Sequence, residues 1–180
     1  MHPIYSPAED SFLISFAIKR EIPKILVKNL NLKVLEIGSG SGIQLKSLLN
    51  SGIRKQNIFA CDINPNAVKH CKKLGFNCVQ SNLFENIRGK YDVILFNPPY
   101  LPEDKLEDKE SGLATTGGKK GGELINKFLC QAKKYLAKGG KIFLLTSSLT
   151  KGINWKGYRK KIISKQKLFF EELYVWELWN

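Results

Sequence analysis

Three short stretches of this chain hold residue types at spacings suited to chemistry. The first is Glu36-Ile37-Gly38-Ser39-Gly40-Ser41-Gly42. Three alternating glycines allow a tight turn and a close approach of backbone to ligand. The dinucleotide-binding pattern is not met, because Ile43 stands where its third glycine belongs, and no Gly-Lys-Ser/Thr follows as a phosphate loop requires. Glu36 would repel phosphate and suits a cation instead. The second feature is Asp62, at the end of the next apolar stretch, where a carboxylate can accept both hydroxyls of a ribose. A glycine loop flanked by two such acids fits S-adenosylmethionine, whose sulfonium and ammonium are positive and whose ribose carries two hydroxyls. The competing reading is a glycine turn that only joins a strand to a helix.

The third feature is Asn97-Pro98-Pro99-Tyr100, directly after the apolar run Tyr91 to Phe96. Two prolines fix φ and remove two amide donors, which leaves the Pro98 carbonyl free to accept. The side-chain carbonyl of Asn97 stands beside it. Together they can accept both hydrogens of one planar NH2 group, with Tyr100 covering the flat group from one side. The target is then an amide or an aromatic amine, whose nitrogen is a poor nucleophile. Aligned acceptors favour the charge that builds on that nitrogen during methyl transfer. The alternative is an Asn-Pro turn that merely ends a strand.

The elements that must carry these residues follow from periodicity. Ala8 to Arg20 reads as an amphipathic helix, with acids in its first turn and Phe12, Leu13, Phe16 and Ala17 on one face. Lys33 to Ile37, Asn57 to Cys61, Phe76 to Val79, Tyr91 to Phe96 and Lys141 to Thr146 read as five apolar strands. Ile43 to Leu49, Pro65 to Lys73 and Gly122 to Ala137 read as helices. Continuous rather than alternating apolar strands mark a parallel sheet covered on both faces. Lys160 to Leu168 and Glu172 to Trp179 leave no room for a helix between them, so an antiparallel hairpin is expected at one edge of the sheet. The segment from Asn97 to Lys120 is turn-rich and polar. Its mixed-charge run Glu103 to Glu110 reads as a solvated loop or a lid. No domain boundary is visible, so residues 1–180 are expected to form one domain. In such folds ligands sit beyond the carboxyl ends of the strands, which directs attention to Glu36–Gly42, Asp62, Asn82 and Asn97–Tyr100.

Composition narrows the classes. The chain has 180 residues, of which 43% are apolar and 25% charged, as in ordinary globular domains. No apolar run reaches the length of a membrane span. The N-terminal Met1 to Phe12 lacks a secretory pattern, so a cytoplasmic protein is expected. The four cysteines show no Cys-x-x-Cys spacing and there are two histidines, His2 and His70. No metal site is therefore expected, and the thiols read as buried and free. The formal charge is +13, with twelve Lys or Arg and no acid between Leu124 and Phe170. Such a field attracts anionic partners, yet only four of the 29 cations are Arg, the residue that base-edge readers favour.

The Glu36–Gly42 loop, Asp62-Ile63-Asn64 and Asn97–Tyr100 resemble the class I S-adenosylmethionine-dependent N-methyltransferases. Pro7-Ala8-Glu9-Asp10-Ser11 and the Gly117-Gly118-Lys119-Lys120-Gly121-Gly122-Glu123 segment are similar to one branch of them, the HemK-like glutamine N5-methyltransferases of archaea and eukaryotes. That branch modifies the glutamine of the Gly-Gly-Gln loop in class 1 translation termination factors. The resemblance implies a Rossmann-like, mostly parallel seven-stranded sheet with helices on both faces. It implies that Ser11, Glu36, Gly38, Gly40, Asp62 and Ile63 line the methionine and ribose ends of the cofactor, and that Asn82 and Leu83 meet the adenine. Asn97, Pro98, Pro99 and Tyr100 would hold the target amide, with Asn97 close to the methyl group. It also implies a small zinc-binding activator subunit at the sheet edge near Phe76–Val79. Two positions depart from the branch: Asn82 stands where Asp is common, and Thr115-Thr116 where a Trp is common. Two other functions stay open: an adenine N6-methyltransferase acting on RNA or DNA, and a non-catalytic scaffold that kept the fold.

Overall fold

The computed structural model describes residues 4–103 and 115–180. Its elements, in order, are α1 (Glu9–Leu26), β1 (Val34–Ile37), α2 (Ile43–Asn50), β2 (Ile58–Asp62), α3 (Pro65–Lys73), β3 (Asn77–Gln80), β4 (Tyr91–Phe96), α4 (Glu123–Ala132), β5 (Leu136–Ser147), β6 (Arg159–Lys167) and β7 (Glu172–Trp179). The seven strands form one sheet in the order β3-β2-β1-β4-β5-β7-β6. The first five pair in parallel, while β7 runs antiparallel to both β5 and β6. The expected hairpin is present, inserted so that β7 meets β5 and β6 becomes the edge.

Each central strand feeds two cores because its side chains alternate between the two faces of the sheet. Val34, Val93 and Phe143 pack with Ile14, Ile18, Leu45, Leu48 and Val68, so α1, α2 and α3 cover one face. Leu35, Ile94 and Leu144 pack with Phe84, Ile125, Phe128 and Leu129, so α4 and the 81–87 turns cover the other. Burial on both sides explains why β1 and β4 read as unbroken apolar runs.

Three expectations need correction. Helix α1 continues past Arg20 to Leu26 despite Pro23. The proline removes one donor, while Ile22, Ile25 and Leu26 keep feeding the same core. Helix α4 stops at Ala132 rather than Ala137. Leu136 stands at helical spacing from Leu129 and Ala132, but it pairs with Tyr91 as the start of β5. The thiols are not uniformly buried: Cys130 is exposed, while Cys61, Cys71 and Cys78 are inside. Of the mixed-charge run Glu103 to Glu110, all but Glu103 lies outside the described residues. No helix among the described residues is long and apolar enough to cross a membrane. No group of three or more metal-ligating side chains is found among them either.

Candidate active site

The neighbours β1 and β4 are where the strand order reverses direction, the place at which open α/β sheets bind ligands. A cavity of about 1780 Å³ opens there. It is lined by every residue singled out for the cofactor and the target: Ser11, Glu36, Gly38, Gly40, Asp62, Ile63, Asn82, Leu83, Asn97, Pro98, Pro99 and Tyr100. Residues up to 89 positions apart in sequence thus converge on one space.

The loop after β1 turns through left-handed backbone at Gly38 (φ 72°), Gly40 (φ 46°) and Gly42 (φ 73°), a region that side chains penalise. It is tied to the next strand end by Gly38 N and Ser39 N, which donate to the Cys61 carbonyl at 2.8 and 3.1 Å. A Cβ built on Gly40 would meet nothing within 4 Å, so this backbone faces open space. Asp62 is fixed by backbone amides: Gly40 N donates to Oδ2 and Asn64 N to Oδ1, each at 2.8 Å, with the Ile63 amide beside them. Burial raises the Asp62 pKa, and these amides oppose the shift. The carboxylate keeps acceptor capacity for a ligand hydroxyl.

Glu36 is 3% exposed, and its Oε2 is buried with no hydrogen-bond partner among the described residues. Burial, with Cys71 and Asp62 beside it, pushes its pKa well above 4.5. A buried carboxylate of this kind is stabilised by a cation, and the donor set as a whole fits S-adenosylmethionine: an orphan acid for the positive end and a pinned acid for a ribose diol. Leu83 takes a left-handed φ of 49°, which is strained for a branched residue, and its carbonyl accepts from the Cys61 thiol at 3.3 Å. Asn82 donates through Nδ2 to Glu85 at 3.0 Å, turning its carbonyl oxygen to the accepting role.

At the end of β4, Asn97 donates through Nδ2 to Asp10 Oδ2 at 2.9 Å. A carboxylate only accepts, so this bond fixes which end of the amide is NH2. The opposite end, Oδ1, is buried without a partner among the described residues. The arrangement leaves one buried acceptor over on a residue that lines the cavity, with its own donor already held. Asp10 is itself locked, since Ser11 N (2.6 Å), Ser11 Oγ (3.2 Å) and Tyr5 OH (3.3 Å) all donate to its Oδ1. Tyr5 is pushed up to about 12, first by burial and then by Asp10. Burial, reinforced by Asp10 and Glu171, likewise raises the Tyr100 pKa, so that hydroxyl stays neutral.

Asp10 is the residue whose role the sequence reading missed. It stood in a quoted motif, but nothing in local spacing announces a partner 87 positions away. The glycine segment before α4 was also read only from resemblance. A Cβ on Gly117 would fall 2.2 Å from the Gly121 carbonyl oxygen and 2.6 Å from that of Pro99, and one on Gly121 would fall 2.3 Å from that of Tyr100. These glycines let a second backbone press against Asn97–Tyr100. The side chain of His70 reaches the Ser41 carbonyl at 3.2 Å, which makes it a brace of the loop.

Solved structures of the same architecture include methylases. That of the ribosomal protein L11 methylase from Lactobacillus delbrueckii subsp. bulgaricus superposes with a TM-score of 0.62 at 16% identity, over 97% of this chain and 80% of that one. The fold is that of the Rossmann-like methyltransferases. Residues 22–154 match the model of the methyltransferase small domain. A protein of Methanocaldococcus jannaschii assigned as a protein N5-glutamine methyltransferase is 40% identical over 195 residues, covering all of this chain and 94% of that one. The eRF1 methyltransferase catalytic subunit of Schizosaccharomyces pombe is 30% identical over 173 residues, 82% of this chain and 74% of that one. This chain belongs to the methyltransferase small-domain family, in the branch of the protein N5-glutamine methyltransferases.

Proposed function

We propose that the chain transfers a methyl group from S-adenosylmethionine to the side-chain amide of a glutamine in the Gly-Gly-Gln loop of a class 1 translation termination factor, in the cytoplasm. The observation that carries this reading is the Oδ1 of Asn97, buried and without a partner while its own NH2 is held by Asp10. A buried acceptor left unpaired is costly, and the N–H of a planar amide is what satisfies it.

The cofactor, when bound, would supply an electrophilic methyl: its S–CH3 bond breaks as the N–CH3 bond forms, and the proton released from the amide nitrogen passes to water. The chain's own residues do the rest. Glu36 offers its carboxylate to the cationic end, next to Ser11 and the backbone of Gly38 and Gly40. Asp62, with Ile63, takes the ribose, and Asn82 with Leu83 takes the adenine. Asn97 Oδ1 and the Pro98 carbonyl accept the two N–H bonds of the target, drawing electron density toward its nitrogen. Pro99 stiffens the turn and Tyr100 covers the flat face of the amide. Both acceptors are in place before reaction, so no reorganisation is needed as charge develops.

The names of the Methanocaldococcus and fission-yeast relatives support glutamine as target and a termination factor as its carrier. The second of these is named a catalytic subunit, which supports a partner chain. The partner we infer is a small zinc-binding activator subunit that adds to the outer edge of β3, the last strand on that side of the sheet. The alternative of an adenine N6-methyltransferase shares the two acceptors and gains from the +13 charge. The cavity argues against it: among the described residues seven carboxylates line it (Glu9, Asp10, Glu36, Asp62, Glu103, Glu123, Glu171) against one lysine, Lys119. A phosphodiester chain entering there meets repulsion.

The test is label transfer from methyl-labelled S-adenosylmethionine. A termination factor, the same factor with its loop glutamine changed to alanine, and total RNA are offered in parallel. The expected result is label on the unaltered factor alone; label in RNA in its place overturns the reading.

A further inference from the structure

Four phenylalanines stand in solvent on two segments that border the cavity, α1 and the turn after β6. Phe169 and Phe170 are 91% and 84% exposed, Phe12 and Phe16 58% and 57%. Four exposed rings on one side of a ligand cavity differ from the scattered single apolar residues that any surface carries. Phe169 and Phe170 form the turn between β6 and β7, between Leu168 and Glu171, both of which line the cavity. Leu168 N donates to the Glu171 carbonyl at 2.8 Å and closes the turn. The Glu171 side chain accepts from Ser147 Oγ. The two rings are therefore held on a fixed projection.

Phe12 and Phe16 belong to the same side. With Arg20 they make a row at i, i+4 and i+8 on α1, and Arg20 donates to the Ile163 carbonyl of β6. Helix α1 begins at the cavity, which Glu9, Asp10 and Ser11 line, and the turn after β6 reaches it at Leu168. The helix and the strand thus run side by side in opposite directions. From the Arg20–Ile163 tie, about 12 Å of helix leads back to Phe12 and about 16 Å of strand leads on to Leu168. Both routes reach the same rim.

The chemistry of the rim selects its occupant. Glu9, Glu103 and Glu171 line the cavity beside the rings, in a chain that is +13 as a whole. The rings of Phe169 and Phe170 meet at 85° with centroids 4.6 Å apart. Perpendicular rings give no parallel platform for successive bases. Apolar rings beside acids suit a protein surface that carries apolar and cationic side chains.

We propose that Phe12, Phe16, Phe169 and Phe170 are a docking rim for the protein substrate, which seats an apolar, basic surface next to the loop that delivers the glutamine. The inference rests on the functional reading above. It supplies what that reading needs, since one glutamine side chain offers little contact area and discrimination must come from surfaces remote from the reacting atoms.

The variant that tests it is Phe169→Ser/Phe170→Ser in the full chain, with its partner subunit where activity requires one. Both rings are solvent-exposed, so the fold is expected to persist, with an unchanged melting temperature. Methyl transfer is measured to the folded termination factor, to a short peptide of the glutamine loop and to RNA, beside a cofactor titration. The expected result is a kcat/KM for the factor lower by roughly tenfold or more, expressed in KM. The kcat at saturation, peptide transfer and cofactor affinity stay as in the wild type. Wild-type kinetics of the variant on the factor overturn the rim and leave the reaction standing. An equal loss on peptide and factor makes the turn part of the site itself and also overturns it. A loss confined to RNA assigns the rim to nucleic acid and overturns it too. Absence of transfer to the factor by the wild type overturns the functional reading, and the docking partner with it.

Discussion

Asn97 shows how little of an active site has to be reactive. Its NH2 is bound by Asp10 and its carbonyl oxygen is left over, so a neutral amide becomes a rigid acceptor. Asp10 is then a positioning residue, and Asp10→Ala frees the Asn97 side chain to rotate. Misplacement of this order costs about 100-fold. We expect kcat for methyl transfer to fall by roughly that factor, with cofactor affinity nearly unchanged in a calorimetric titration; an unchanged kcat contradicts the role. Glu36 carries a pH signature. Its folded-state pKa lies well above 4.5 because burial disfavours the charge, whereas a cationic ligand favours the ionised form. Affinity for S-adenosylmethionine should therefore be full above that raised pKa and be lost as pH falls through it, by about tenfold per unit. The loss should begin at a pH where an ordinary glutamate is still ionised. Titrations across pH should show this slope in the wild type and its absence in Glu36→Gln, which binds weakly throughout; a pH-independent wild type contradicts it. Glu36, Asp62 and Asn97 were legible in the sequence because each stands at or beside the carboxyl end of an apolar strand. Asp10 was not, because its partner is brought to it only by the fold.

At the scale of elements, two contacts hold the site's halves together. Gln44 of α2 donates to the Ser11 carbonyl at 2.9 Å and accepts from Ser15 Oγ at 2.7 Å, and Ser47 Oγ donates to Ser15 Oγ at 3.1 Å. This buried polar cluster pins the first turns of α1, and with them Asp10, to the helix that follows the glycine loop. Gln44→Leu leaves the buried Ser15 hydroxyl without its acceptor, and leaving a buried group unpaired costs about 1–3 kcal/mol. Chemical denaturation should show a loss in that range, and a stability equal to wild type contradicts the pinning. The second contact is the glycine segment behind Asn97–Tyr100. Gly117→Ala forces two carbonyls apart, so it should lower kcat by about 10–100-fold while the glycine loop still binds cofactor. The strands β1, β2 and β4 were readable because burial on both faces makes them unbroken apolar runs. The end of α4 was misread because Leu136 satisfies both a helical face and the first pairing of β5. Periodicity alone does not separate those two outcomes.

At the scale of the whole molecule, one sheet links two cores, and the site sits where its strand order reverses. Alternation of strands and helices announced a parallel sheet with a terminal hairpin. That β1 lies beside β4, and that β7 rather than β6 meets β5, depends on pairings that no local pattern encodes. Because both cores share the central strands, residues 1–180 should unfold in one cooperative transition, read by calorimetry as a single peak; two peaks contradict a single domain. Cofactor at about 100 times its Kd should stabilise the folded chain by about 2.7 kcal/mol, raising the melting temperature by roughly 5–10 °C. The central claim is that Asn97 Oδ1 accepts from the amide being methylated, and single-turnover transfer to a glutamine-bearing termination factor tests it most directly. Removing one preorganised hydrogen-bonding group of this kind costs about 10²–10³ in turnover. The account predicts that Asn97→Ala loses transfer by that factor while a parallel cofactor titration changes little. Transfer by Asn97→Ala at the wild-type rate would contradict it, reducing Asn97–Tyr100 to a turn that ends a strand.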